Sequence, residues 1–522
     1  MHACSSSWRA LGRGSFGLIL LLGMELSARA DTEQHPGIGT TAVGSGEIPS
    51  GNATGGQSAM TDNTADSDDD DDDDDEPKYK LDFHGFLRIP AESGLEHGKM
   101  HSPPHTPDFN YTDWTYTNNM GGPWTEMWFT YGDKSVSASV VLEAYDISEA
   151  SYKNLQAQLG IAQSFITLNF PTLLGEKGGL TVNAGAFVGR YGMAGRYDAG
   201  TYDTYLFGAT HAAGETAALT YRLTDRLQID LEHGVGAKLD IAPLVPGLPD
   251  VPYLPYPGDV QQGSTFLHHV HLSFTLDNDL TLAFHDLYAF TKDSENAGEP
   301  DGSIHVFGAE LKLWESIYGQ AYLGWARMVT DNPLRVAGVI ETAHSFEGWE
   351  IRDNYFAKDE DTEATGSGKV DTVLFEYNFS LATLLWAPED FWGQAPDIVV
   401  SLFGMYNHVQ SDDPAFALVP DNQRGKAGEQ KLKMGGSITY SWQKWLAFQG
   451  RYDLVQPNLH DNTQSFQVIS PSLIFSSRFA SNEQIILQYS HYINGSNVHG
   501  GYPYEALPPD KDSIRLAAVM WW

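Results

Sequence analysis

The stretch that decides the fold reads Lys134-Ser135-Val136-Ser137-Ala138-Ser139-Val140-Val141-Leu142-Glu143-Ala144-Tyr145. In an extended chain, Val136, Ala138, Val140, Leu142 and Ala144 fall on one side and Ser135, Ser137, Ser139 and Glu143 on the other. Alternation with unlike faces marks a strand that meets two different media. Residues 266–276 repeat it: Phe266, Val270, Leu272, Phe274 and Leu276 alternate with His269, His271, Ser273 and Thr275, and His268 interrupts the apolar set. Similar runs recur near 178–188, 214–224, 278–291, 303–314, 316–330, 369–381, 396–408, 433–455, 464–478 and 482–493. With the longer runs split into pairs, they predict about 16 to 20 strands, and about 18 is the preferred even number for a single-chain bacterial barrel.

The expected fold class is therefore all-β, a transmembrane antiparallel β-barrel over residues 79–522. Polar, turn-rich stretches at 92–122, 243–263 and 353–368 read as long loops on one side of it, with short turns on the other. Composition agrees: aromatic residues make up 12% of the chain while hydrophobic residues overall reach only 41%. A wall that meets lipid on one face and water on the other needs rings more than bulk grease. No segment has the ~18 consecutive apolar residues of a spanning helix, so a chain of this kind crosses a membrane only as a closed barrel. A soluble β-sandwich or propeller also alternates. Against it stand the number and length of the runs without a repeat period, and the last segment, 513–522. There Ile514, Leu516, Ala518, Met520 and Trp522 share one face, while Ser513, Arg515, Ala517, Val519 and Trp521 share the other. A terminal aromatic closing a two-faced strand resembles the assembly signal of outer-membrane barrels. That resemblance implies a Gram-negative outer-membrane location, with the barrel-assembly machinery, membrane lipid and lipopolysaccharide as partners.

Residues 1–30 read as a secretory signal peptide: Arg9 and Arg13, an apolar run at 16–24, and Ala28-Arg29-Ala30 at the cleavage position. Residues 31–78 are rich in Gly, Ser and Asp, with eight consecutive Asp from Asp68 to Asp75, and too poor in large apolar side chains to offset their chain entropy. They are expected to be a disordered acidic linker, and the Asp tract a solvated charge run that lacks the spaced ligands of a calcium loop. The one cysteine, Cys4, falls in the signal, which removes disulfides and thiol chemistry from the mature chain. A formal charge of −37 excludes nucleic acid as a partner. No nucleophile elbow, zincin motif or phosphate loop is present, so neither an enzyme nor a cofactor is expected. Alternation sends His268 away from His269 and His271, and the latter two read as solvated lumen residues rather than a metal site.

Three segments resemble maltoporin and related sugar porins, trimeric barrels that admit oligosaccharides by diffusion. Asp82-Phe83-His84-Gly85-Phe86 with Arg88 is similar to the family's first strand, where a Tyr stands at the position of Phe86. Arg196-Tyr197-Asp198 followed by Asp203 and Tyr205 is similar in spacing to the family's constriction residues, and Trp521-Trp522 to its paired terminal Trp. Trp124-Thr125-Glu126 resembles the second strand, with an aromatic and then a lumen Glu. The resemblance implies a homotrimer, a sugar path built from Phe86, Trp124, Tyr205 and Trp521, and a polar track of Arg88, Glu126, Arg196, Asp198 and Asp203. The chemistry is coherent: flat rings suit the C–H faces of a sugar, and charged groups exchange hydrogen bonds with its hydroxyls as it moves. Parity supports it, since Phe86 shares a face with Lys80, Asp82, His84 and Arg88, and Trp521 shares one with Arg515. A general or anion-conducting porin, and a secreted β-rich carbohydrate-binding protein or hydrolase, are the alternatives.

Overall fold

The computed structural model describes residues 79–94, 125–144, 159–190, 192–193, 209–239, 263–277, 279–293, 301–313, 319–333, 336, 340–341, 367–385, 396–412, 429–456, 459, 466–477, 482–494, 499–500, 505–506 and 510–522. The expected signal and linker, at 1–30 and 31–78, lie outside them. All the described residues belong to one compact unit.

The strands are β1 (Lys80–Gly94), β2 (Thr125–Gly132), β3 (Val136–Ala144), β4 (Leu159–Phe170), β5 (Gly178–Arg190), β6 (Ala209–Arg222), β7 (Leu227–Leu239), β8 (Gly263–Leu276), β9 (Leu280–Asp293), β10 (Ser303–Leu313) and β11 (Gln320–Asp331). There follow β12 (Ile340–Glu341), β13 (Gly368–Ser380), β14 (Asp397–Ser411), β15 (Glu429–Gln443), β16 (Leu446–Gln456), β17 (Phe466–Ser477), β18 (Asn482–Asn494), β19 (His499–Gly500), β20 (Glu505–Ala506) and β21 (Asp510–Trp521). β12, β19 and β20 are two-residue pieces, and the other 18 strands form the wall. Each long strand runs antiparallel to its neighbours, and the sheet closes on itself where β1 pairs with β21 as well as with β2. Closure leaves no edge, which is the one way a sheet satisfies its backbone against hydrocarbon. With strands ~4.8 Å apart and tilted ~40°, such a wall is about 35 Å across, wider than side chains can fill.

Alternation assigns the two faces as expected. On β3, Ser137, Ser139, Val141 and Glu143 turn inward, and Val136 is 47% exposed on the outside. On β21, Arg515, Ala517 and Val519 are buried while Ile514 and Leu516 are exposed. Exposed apolar side chains such as Phe83, Phe129, Ile166, Ile469, Ile485 and Leu487 cover the outer face, and buried polar ones, including Asn183, Thr216, Asn407, Lys431 and Asp453, line the inner one. That inversion of a soluble protein identifies a transmembrane barrel. Of the wall strands, β1 and β2 enter the sequence reading only through the resemblance, and β4 and β7 do not enter it at all. β4 holds a bulge where Val141 faces Gln163 and Leu142 faces Ile161, so Ala162 has no partner and the period slips by one.

Short turns close one end. Asp133 accepts from the amides of Ser135 and Val136, both at 2.8 Å, to make the β2–β3 turn. Arg226, in the β6–β7 turn, forks onto Asp277 of the β8–β9 turn, with Nε 2.6 Å from Oδ1. Its hydrogen bond holds the Asp277 carboxyl below the usual range and raises the Arg226 guanidinium. At the other end, the chain that follows β11 crosses the mouth: β12 pairs antiparallel with Thr210 and Ala209 at the start of β6. The same strap puts Val336 in a buried position.

Candidate functional site

Four inward residues stand side by side in one register row. Trp521 faces Phe86, Phe86 faces Glu126, and Glu126 faces Glu143 across β21, β1, β2 and β3. Phe86 is 4% exposed and Glu126 is buried beside it, while Trp521 is half-buried. The hydroxyl of Thr125 donates to the Phe86 carbonyl at 2.8 Å, which pins this corner of the wall. Three of the residues named from sequence, Phe86, Glu126 and Trp521, are thus brought together. For Arg88 the backbone is placed, opposite Val519 on the same inward parity. Trp124, Tyr205, Arg196, Asp198 and Asp203 lie outside the described residues.

Sequence reasoning missed how far the aromatic lining extends. Trp128 donates its indole N–H to Glu126, and the ring of His84 stacks on it at 5.7 Å. Trp128 then meets Phe165 edge-on at 6.3 Å, and Phe165 meets Phe187 at 5.8 Å. These rings, with Val141, form one inner cluster across β2 to β5. The signal available was parity alone: Trp128 lies two residues beyond Glu126, and Phe187 lies in the recognised 178–188 run.

A second constellation occupies the inner face of β7 to β11. His269 pairs with Glu232 at 2.9 Å, and His271 faces Glu232 on one side and His285 on the other. His285 Nδ1 lies 3.0 Å from Glu310 Oε2, and the Tyr322 hydroxyl donates to Glu310 Oε1 at 2.6 Å. The backbone amide of Met193, just beyond β5, also donates to both Glu310 oxygens, at 2.8 and 2.9 Å. Met193 is therefore held inside the barrel against the wall of β10. His269 is 1% exposed, so the expectation that it is a solvated lumen residue is corrected, while His271 beside it is half-buried. The reason is non-local. Gly234 on β7 leaves room for the His269 ring, since a Cβ there would sit 2.3 Å from Cε1. Among the described residues no group of His, Cys, Asp and Glu has the arrangement of a metal site.

The wall of β15 and β16 is basic. Lys431 and Lys433 are fully buried on the inner face, and Arg451 forks onto Asp453 with two contacts of 2.8 Å. The Arg451 guanidinium also lies 4.9 Å above the Phe403 ring, and Arg515 adds a further inward cation on β21. Acidic groups on β2, β3, β7 and β10 and basic groups on β15, β16 and β21 thus both line the lumen, with Asp453 paired among the basic ones.

No family model matches the chain, and no curated protein matches it in sequence. Among solved structures it is similar to the outer membrane channel DcaP of Acinetobacter baumannii, at 9% identity over 86% of this chain and 98% of that one, with a TM-score of 0.37. It is similar to OccK5 (OpdH) of Pseudomonas aeruginosa at 11% identity, covering 85% of this chain and 98% of that one, with a TM-score of 0.35. A loop L8 deletion form of OmpT, an outer membrane protein of Vibrio cholerae, gives 10% identity, coverage of 85% and 100%, and a TM-score of 0.37.

Proposed function

We propose that this barrel sits in the outer membrane as a passive diffusion channel, and that sugars are among the solutes it passes. The observation that carries the reading is the inward row of Trp521, Phe86, Glu126 and Glu143 on four adjacent strands. Within the row Trp521 and Glu143 keep part of their surface open, a ring and a hydrogen-bond acceptor for a pyranose that is to bind weakly and slide, and Phe86 and Glu126 are packed between them. The inner rings of Trp128, Phe165 and Phe187 prolong the apolar stripe around the wall.

A second reading, a channel for small anions, is favoured by Lys431, Lys433 and Arg451 on the inner face of β15 and β16. Single-channel recording in planar lipid bilayers separates the two. A sugar path gives ohmic conductance that maltooligosaccharides block reversibly, with block weakened roughly tenfold in Trp521→Ala, about the 1.4 kcal/mol expected of one lost stacking contact. Conductance that ignores sugars and falls when phosphate is added supports the anion reading. Absence of any conductance from folded protein removes the channel proposal itself.

A further inference from the structure

Counted up from the short turns, the outward apolar run of a strand has different lengths around the barrel. On β15 it goes from Trp442 to Leu432, ten residues without a charged side chain. At ~3.3 Å per residue and ~40° of tilt that is about 25 Å, the usual height of the apolar band of an outer-membrane barrel. On β7, β9 and β11 the outward run stops after six residues, at His233, Asp286 and Arg327. On β8, β10 and β13 it stops after eight, at His268, His305 and Asp371. The apolar wall of this sector is therefore about 15–20 Å tall. A lesser step lies at β21, where Asp512 stands eight residues from Met520 and accepts from Tyr489, with His491 Nδ1 at 2.7 Å.

The polar step from β9 to β13 is continuous with the rim on the loop side. Asp286, Phe307, Arg327 and Asp371 stand in register across it, and His268, Tyr288, His305, Val329 and Lys369 make the next row up. Above His305 the outward face of β10 holds Ser303, and above Asp371 that of β13 holds Lys369, at the ends of those strands. Neighbours satisfy these groups in part. Asp286 pairs with His305 at 2.8 Å, yet both side chains remain 39% exposed. Arg327 forks onto Asp371 at 2.7 and 2.8 Å, and its side chain is still 42% exposed. Hydrocarbon against such groups is strongly disfavoured.

We infer that along β7 to β13 the leaflet on the loop side is drawn down against the barrel, so that lipid headgroups rather than acyl chains contact His268, His305, Arg327 and Asp371. A bilayer meets a short hydrophobic wall by thinning beside it, at modest cost. The unbroken polar surface from the rim to Asp286 and Arg327 gives headgroups and their water a way down. Both signs of charge are present, Arg327 and Lys369 for a phosphate oxygen and Asp286 and Asp371 for a cationic amine, which fits a zwitterionic headgroup. The inference depends on membrane residence and not on what passes through the lumen.

The test uses the full chain, whose only cysteine is Cys4. In a Cys4→Ser background, bimane is attached to His268→Cys, His305→Cys and, for comparison, Met434→Cys. Each of the three positions stands eight residues above the first outward residue of its strand, and the heat-dependent gel shift checks folding. In dioleoylphosphatidylcholine vesicles, a lipid with a nitroxide on its headgroup should quench positions 268 and 305 roughly threefold more than a lipid with the nitroxide at mid-chain, and position 434 should show the reverse. Chain quenching that exceeds headgroup quenching at 268 and 305 would place hydrocarbon there. Quenching by neither lipid would place protein there. Either result overturns the inference. His268→Cys leaves the Asp286–His305 pair whole, so it still gives the reading if His305→Cys fails to fold. Conductance measured on the same vesicles stands apart from all of these outcomes, so losing the inference leaves the channel proposal in place.

Discussion

Gly234 shows how much one side chain's absence accomplishes. His269 lies over it and pairs with Glu232, so the burial of a polar ring on β8 depends on a missing methyl on β7. Gly234→Ala should push His269 off Glu232, leave two buried polar groups without each other, and reduce stability by about 1–3 kcal/mol. The midpoint of urea unfolding in detergent measures this, and an unchanged midpoint would show that the pair adds nothing. At this scale the sequence was partly legible. Parity placed Phe86 and Trp521 inward and His268 outward, because facing follows from position in the strand. Burial of His269 was not legible, since it depends on a neighbour about 35 residues away in sequence that only the register brings alongside.

Strands and their connections were legible in proportion to how cleanly they alternate. The runs at 303–314, 369–381 and 482–493 lie within a residue or two of β10, β13 and β18. β4 escaped notice because its bulge shifts the period, and β7 because Gly234 and Gly236 blank its inward face while His233 interrupts the outward one. The anchored segments could not be read at all, since a loop's destination is set by tertiary contacts rather than by local pattern. The tie from Met193 to Glu310 is the clearest case. Glu310→Ala removes one carboxylate from three donors, a local loss of roughly 2–3 kcal/mol, or about a 30- to 140-fold weaker hold on the inward position. Open-channel current noise should rise several-fold while the heat-dependent gel shift persists. Equal noise in the two proteins would mean that the segment is held elsewhere.

For the whole molecule, closure is the property on which the rest depends. The amide of Gly85 donates to the Trp522 carbonyl at 3.1 Å and the amide of Trp522 donates back to Gly85 at 3.1 Å, completing the seam between β1 and β21. Phe83 meets Trp522 at 5.8 Å on the outside of that seam, and Phe86 faces Trp521 on the inside. A chain shortened by Trp521 and Trp522 loses the last ladder bonds and the Phe83 ring contact. It should fold into detergent with at least a tenfold lower yield of the heat-shifted form, and full yield would show that the seam closes without them. The whole-molecule fold was the most legible level, because 18 two-faced strands without a spanning helix leave few architectures open.

The seam also means that the cylinder has no intrinsic first strand. β21 and β1 meet through the same kind of ladder as any consecutive pair, so the order in which the strands are synthesised is separable from the order in which they stand. A circular permutant that links Trp522 to Lys80 through a flexible bridge of about eight residues, and opens instead at the tight Lys444-Trp445 turn, keeps every register on the wall.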